Sequence, residues 1–298
     1  MAKVAFIGVG RMGSRMAFRL LDAGHEVRVF DPSPEAVAAV VEKGGVAASS
    51  PADASMDCTF VLSSLPTPDS LRTAIGGENG ALSSLKAGAT VIDFSTVDPT
   101  TTRDVAAACS AAGVAFMDAP VSGGVAGAAS GNLIIMAGCD EATLDGARPI
   151  LSSLAARIVH CGPIGSGQLT KLAHNLLTAI NTVALGEVLA ASVKAGASLP
   201  VLTEVLSGGL AGSKMLDYLP KTLFTQERPA NFALDLMHKD ISLCLSEFSD
   251  YPMPLGQAVR QIYNTARAEG LGKKDSTSVA EVFERLLKVD LRLSAAAS

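Results

Sequence analysis

The chain has 298 residues, enough for two domains; 48% are apolar, 4% are aromatic, and the formal net charge is -5. Such a composition excludes a disordered chain, and the acidic balance argues against a nucleic-acid or anionic-membrane surface. Cys58, Cys109, Cys139, Cys161 and Cys244 are scattered without a CxxC pair, which reads as reduced thiols in a cytoplasmic protein.

The four histidines form no i, i+4 pair and no HExxH, so no metal site is expected. The segment from Met1 to Gly8 lacks the apolar stretch of a signal peptide. No run of about 20 consecutive apolar residues offers a membrane span.

In chain order, Lys3 to Ile7 is a short apolar run that stops at Gly8. Arg11 to Ala23 follows with helical spacing and closes at Gly24. Glu26 to Phe30 alternates as a strand does. Further strands are expected at 59–62, 90–94, 115–118, 133–137 and 157–159, with a helix from about Pro99 to Ala112. This alternation predicts a doubly wound, mostly parallel sheet, an α/β Rossmann-like domain over residues 1–163.

The pattern changes near Gly165. Apolar residues then recur at helical spacing from Gln168 to Ala195, which predicts one long helix. The remainder has helical patches broken at prolines and glycines, so residues 164–298 are expected to form an all-α domain joined by the long interdomain helix.

Gly8-Val9-Gly10-Arg11-Met12-Gly13 fits GxGxxG and leaves a strand to open a helix, the context that gives the motif meaning. Gly8 suits the tight turn, Gly10 the approach of a pyrophosphate, and Gly13 close helix–strand packing. Helix-start N–H groups and the helix dipole favour the phosphates. Asp31 ends the second strand, where a carboxylate accepts adenosine ribose hydroxyls and repels a 2′-phosphate. NAD is therefore expected over NADP. Arg28, inside the strand, is a poor phosphate clamp. A capping Asp before Pro32, with no ligand, is the plainer alternative.

Two further segments carry chemistry. In Asp118-Ala119-Pro120-Val121-Ser122-Gly123-Gly124, a hydroxyl and glycine N–H groups suit a carboxylate, though an ordinary glycine turn reads the same way. In the segment from Gly165 to Asn175, Lys171 and Asn175 share a helix face with His174 beside them. A lysine rising from an apolar helix loses part of its charge stabilisation and exchanges a proton near neutral pH. A solvated surface lysine is the ordinary alternative.

These segments, with Lys239-Asp240, run in an order and at separations that make the whole chain resemble the β-hydroxyacid dehydrogenases, the group of 3-hydroxyisobutyrate dehydrogenase and tartronate semialdehyde reductase. The resemblance implies oxidation of the hydroxyl of a small β-hydroxy acid, or reduction of the semialdehyde, by a homodimer or homotetramer. It implies Lys171 as general acid/base and Ser122, Gly123 and Gly124 as holders of the substrate carboxylate. Asn175 would orient the substrate or Lys171. Leu65, Pro66 and Thr96 would line the cofactor, and Lys239 would close over its nicotinamide side.

His174 departs from the Asn common in the family and resembles the threonate dehydrogenases. It would either add a polar group for a hydroxylated substrate or be a packing substitution. Ser207 to Ser213 looks like the tartronate semialdehyde reductase segment, from which Lys214 and Met215 depart. Three rivals fit less well. Imine reductases usually lack the lysine, and so does a non-catalytic dinucleotide-bound scaffold. A 6-phosphogluconate-type enzyme needs a longer helical domain and a phosphate site.

Overall fold

The computed structural model describes residues 1–293. The chain divides into two compact units, Met1–Lys171 and Leu172–Ser298.

The first unit opens with β1 (Lys3–Ile7), α1 (Gly13–Asp22) and β2 (Glu26–Phe30). Val4, Ala5, Phe6 and Ile7 are all buried, as in a strand covered on both faces. Helix α1 buries Gly13, Met16, Ala17 and Leu20, a spacing that keeps one face on the sheet.

The chain continues through α2 (Pro34–Val41), β3 (Val46–Ala47), α3 (Pro51–Ser55), β4 (Phe60–Ser63), α4 (Pro68–Gly76), β5 (Thr90–Asp93), α5 (Pro99–Ala111) and β6 (Ala115–Asp118). Helices α2 to α5 each start at a Ser, Thr or Asp cap followed by Pro. The cap oxygen accepts an orphan N–H, and Pro at the first helical position gives up nothing. Next come β7 (Val121–Ser122), α6 (Gly124–Ser130), β8 (Leu133–Gly138), α7 (Glu141–Leu151) and β9 (Ala155–Gly162).

The sheet runs β3-β2-β1-β4-β5-β6-β8-β7, with β9 paired to β8. From β3 to β6 every pairing is parallel. The order reverses direction between β1 and β4, the place where such sheets open a crevice at their carboxyl ends. The parallel run stops at β6, because β7 carries the same strand onward past Ala119 and Pro120 and β8 then returns alongside both. Strand β8 lies antiparallel to β6 and β7, and Ser122 pairs with Ile134. The two-residue strands β3 and β7 are absent from the sequence reading. The strand expected at 157–159 extends over Ala155–Gly162.

Helix α8 (Ser166–Lys194) begins in the first unit and continues into the second. Its 29 residues span about 44 Å. The second unit adds α9 (Leu199–Gly208), α10 (Lys214–Tyr218), α11 (Leu234–Glu247), α12 (Pro254–Ala268) and α13 (Glu281–Leu287). Leu172, Leu176, Ala179, Val183, Leu189 and Ala190 of α8 join its core. Gly186 is required in mid-helix, since a Cβ there would meet Ala280 Cβ at 2.7 Å. One expectation needs correction. Although no 20 consecutive residues are apolar, α8 is long and apolar enough, by length and composition alone, to cross a membrane.

The start of α8 is tied to the sheet by one buried carboxylate. Asp118, the last residue of β6, accepts Gly165 N–H at 2.7 Å on Oδ1 and Gln168 N–H at 2.9 Å on Oδ2. Gly138 and Gly167 have no room for a Cβ, which would strike this carboxylate or the backbone beside it. Burial pushes the Asp118 carboxyl up to about 6, against the pull of its two backbone N–H bonds.

Asp118 thus binds its proton more tightly in the folded chain than in the unfolded one, where 3.8 applies. The stability this confers is full below the unfolded value and is lost as pH rises through the folded one. The whole span amounts to about 3 kcal/mol. Asp118→Asn removes the titration. Its unfolding free energy is therefore expected to gain on the wild type by about 2 kcal/mol from about pH 4 to pH 7. Denaturant titrations at stepped pH measure this, and a pH-independent difference between the two proteins refutes it.

Candidate active site

The carboxyl ends of β2, β1, β4 and β5, adjacent in the sheet, carry the residues expected to hold the cofactor. After β1, Gly8 takes φ +86° and donates its N–H to Phe30 O at 2.8 Å. A Cβ on Gly8 would lie 2.5 Å from Ser64 O and 2.9 Å from Leu65 Cδ2, and one on Gly13 would strike Gly8 O. Packing demands glycine at both positions. A Cβ on Gly10, by contrast, would meet nothing within 4 Å. The fold does not require glycine at Gly10, which leaves backbone open to a ligand.

Helix α1 differs from its neighbours in a second way. Helices α2, α3, α4, α5 and α7 are each capped by a side chain that accepts a backbone N–H. The cap position of α1 is Met12, which makes no such bond, and its first turn holds no acidic residue. That end suits an anion. Arg11, beside it, is exposed. The turn fits the pyrophosphate of a dinucleotide.

Asp31 follows β2 and faces the same turn. Its Oδ2 accepts Val9 N–H at 2.9 Å, and its Oδ1 accepts Ser33 N–H at 2.8 Å. The cap of α2 is Ser33, so the alternative of Asp31 as a helix cap fails. Arg28 is engaged with Asp53 at 2.8 Å.

Leu65 and Pro66 follow β4, and Thr96 follows β5. Leu65 N–H donates to Ser95 Oγ at 2.8 Å, and Ser95 Oγ donates to Asp93 Oδ1 at 2.6 Å. Ser63 Oγ donates to the same Asp93 oxygen at 2.7 Å. The two loops are thus bound to one buried aspartate.

Ser122 is half-buried in β7, and the two glycines after it adopt φ +125° and +60°. Such consecutive positive φ values turn the backbone at Gly123 and Gly124 in a way side chains resist. Lys171, two turns into α8, is only 9% exposed. The surface-lysine alternative therefore fails.

In the second unit, Asn175 is buried and donates Nδ2–H to Asp240 Oδ2 at 2.6 Å. Asp240 Oδ1 lies 3.1 Å from Lys239 Nζ. An acceptor-only carboxylate fixes the orientation of the Asn175 amide. Its Oδ1 then faces His174 Nδ1 at 3.0 Å. With the amide so turned, His174 Nδ1 is the donor of that pair.

Sequence reasoning passed over Asp118, Gln168, Asp93 and Ser95 as site residues, and Asp240 entered only as part of a matching segment. A signal was available. Polar residues close three adjacent apolar strands, at Ser63, Asp93 and Asp118.

Among known proteins, residues 3–162 match the family described as the NAD binding domain of 6-phosphogluconate dehydrogenase. Residues 165–283 match the NAD-binding domain of NADP-dependent 3-hydroxyisobutyrate dehydrogenase. The chain is 35% identical to 2-(hydroxymethyl)glutarate dehydrogenase of Eubacterium barkeri, over 97% of each chain. It is 37% identical to 3-sulfolactaldehyde reductase of Escherichia coli K12, over 94% of this chain and 95% of that one. The solved structure of Mycobacterium tuberculosis 3-hydroxyisobutyrate dehydrogenase with L-serine superimposes with TM-score 0.88 at 32% identity, covering 95% of this chain and 99% of that one. With both halves of the chain accounted for, and relatives matched end to end, the protein belongs to the β-hydroxyacid dehydrogenase family of NAD(P)-dependent oxidoreductases.

Proposed function

We propose that this chain oxidises the primary hydroxyl of a small β-hydroxy acid resembling 3-hydroxyisobutyrate, with NAD, and runs the reverse reduction. The observation that carries the reading is Lys171: a lysine almost wholly buried, on a helix whose first turn is tied to the sheet edge bearing the glycine turn. The relatives' names support the substrate class. 3-Hydroxyisobutyrate, L-serine and 2-(hydroxymethyl)glutarate each carry a hydroxymethyl group on the carbon next to a carboxylate.

NAD, when bound, supplies the hydride acceptor. Gly8 to Gly13 hold its pyrophosphate, Asp31 takes the adenosine ribose hydroxyls, and Leu65, Pro66 and Thr96 line the nicotinamide end. Ser122 Oγ and the N–H groups of Gly123 and Gly124 fix the substrate carboxylate, which aims the carbinol carbon. Neutral Lys171 takes the hydroxyl proton during oxidation and returns it during reduction. Asn175, one turn along, orients the lysine or the hydroxyl, and Asp240 holds its amide in place. Lys239 closes the nicotinamide side. A second reading, a threonate-type or tartronate semialdehyde substrate, is favoured by His174, a polar side chain hydrogen-bonded beside Asn175 on the same helix.

Lys171→Ala is expected to fold and to bind NAD while turnover falls by about two to four orders of magnitude. Lys171→Arg does not rescue it, because a guanidinium stays protonated. A panel of hydroxy acids, read at the absorbance of reduced nicotinamide, tests both variants. Near-normal turnover in Lys171→Ala ends the acid/base assignment. Asp31→Ser, which removes the ribose acceptor and its repulsion of a 2′-phosphate, weakens NAD and shifts preference toward NADP. A wild type that already favours NADP by a wide margin contradicts the role given to Asp31.

A further inference from the structure

We propose that Asp118 and Gln168 are positioning residues that set the place of Lys171 against the cofactor-lining loops. The inference rests on Lys171 as the acid/base.

Two sets of bonds support it. Asp118 grips the start of α8 by accepting the N–H groups of Gly165 and Gln168. Gln168 then uses its side chain across the gap to β5. Its Nε2–H donates to Ser95 O at 2.8 Å, and its Oε1 accepts Val97 N–H at 3.2 Å. The amide is held at both ends, so neither its rotation nor its position is open. These bonds flank Thr96, a residue assigned to the cofactor. Through Ser95 Oγ the chain of bonds reaches Leu65 N–H, the other cofactor-lining loop. Gln168 is fully buried, and Lys171 lies three residues further along the same helix.

The arrangement fixes three degrees of freedom. The Asp118 grip sets where α8 starts relative to the strand that leads into Ser122. The close approach of Gly167 to Met136 O and Asp118 sets the depth of the helix against the sheet. Gln168 sets its rotation, because turning the helix breaks both amide bonds. A rise of about 4.5 Å then separates Gln168 from Lys171. Proton and hydride transfer are sensitive to such placement, since about 1 Å of error costs on the order of a hundredfold in rate.

The test combines Asp118→Asn and Gln168→Ala with Lys171→Ala, singly and in pairs. Asn at 118 keeps the shape but offers one acceptor oxygen for two N–H groups. Gln168→Ala loses both side-chain bonds without burying a charge, and it serves if Asp118→Asn fails to fold. The readouts are NAD affinity by titration, kcat and KM for the best acid of the panel, and the primary deuterium isotope effect on kcat.

Asp118→Asn and Gln168→Ala are each expected to lose about 10- to 100-fold in kcat, with a much smaller change in NAD affinity. The isotope effect rises as hydride transfer becomes more rate-limiting. In the Lys171→Ala background neither substitution lowers the residual rate further, because no lysine is left to place.

Wild-type kcat in folded Gln168→Ala overturns the inference, and so does an equal proportional loss with and without Lys171. If Lys171→Ala keeps its turnover, the acid/base reading falls and takes this inference with it. If Lys171→Ala is inactive while the two other variants match wild type, only the positioning role is lost.

Discussion

A single carboxylate, that of Asp118, decides where the longest helix of the protein begins. It sits where β6 ends, fully buried, with one oxygen on the N–H of Gly165, just before α8, and the other on that of Gln168 in its first turn. A carboxylate suits this place because it offers acceptors and no competing donor. Burial works against its charge and the two bonds work for it; the balance leaves the carboxyl at about 6. Its surroundings are built to the same purpose. Gly138 and Gly167 bring two backbones to within touching distance of it, and no side chain fits at either position.

The rest of the first unit arranges loops around that fixed point. Parallel strands deliver their carboxyl ends to one edge, and the reversal of order between β1 and β4 opens the crevice there. Two devices reserve that crevice for a dinucleotide. Gly10 is glycine without any demand from the fold, and α1 lacks the side-chain cap that five neighbouring helices possess. Each departs from local helix-start chemistry, and the two departures coincide at one turn.

Much of this was legible in the sequence. The apolar run at Lys3–Ile7, the alternation at Glu26–Phe30 and the strand at Ala115–Asp118 match β1, β2 and β6 to the residue, and GxGxxG lies between a strand and a helix as its reading required. The long helix was visible from its period, one or two residues from its ends. Three features were not legible. Strands β3 and β7 have two residues each, too short for any period to register. The antiparallel return of β8 along β6 and β7 is a matter of topology, which no local propensity expresses. Gln168 finds Ser95 across 73 positions, and Asp118 finds Gln168 across 50. Pairings at that separation leave no trace in a local pattern. Lys171 was ambiguous for a related reason: burial of a helical lysine depends on what packs over it.

The second unit extends the same logic of orientation to the helix face beyond Lys171. Asp240 is an acceptor, which forces the Asn175 amide to donate toward it and to turn its oxygen to His174. The sequence left His174 open between packing and recognition. The hydrogen bond to Asn175 shows that His174 does more than fill space. With Asn175 Oδ1 turned toward it, His174 Nδ1 is the donor of the pair. The buried Asp240 thus fixes, through the Asn175 amide, which group α8 turns toward His174, three residues beyond Lys171.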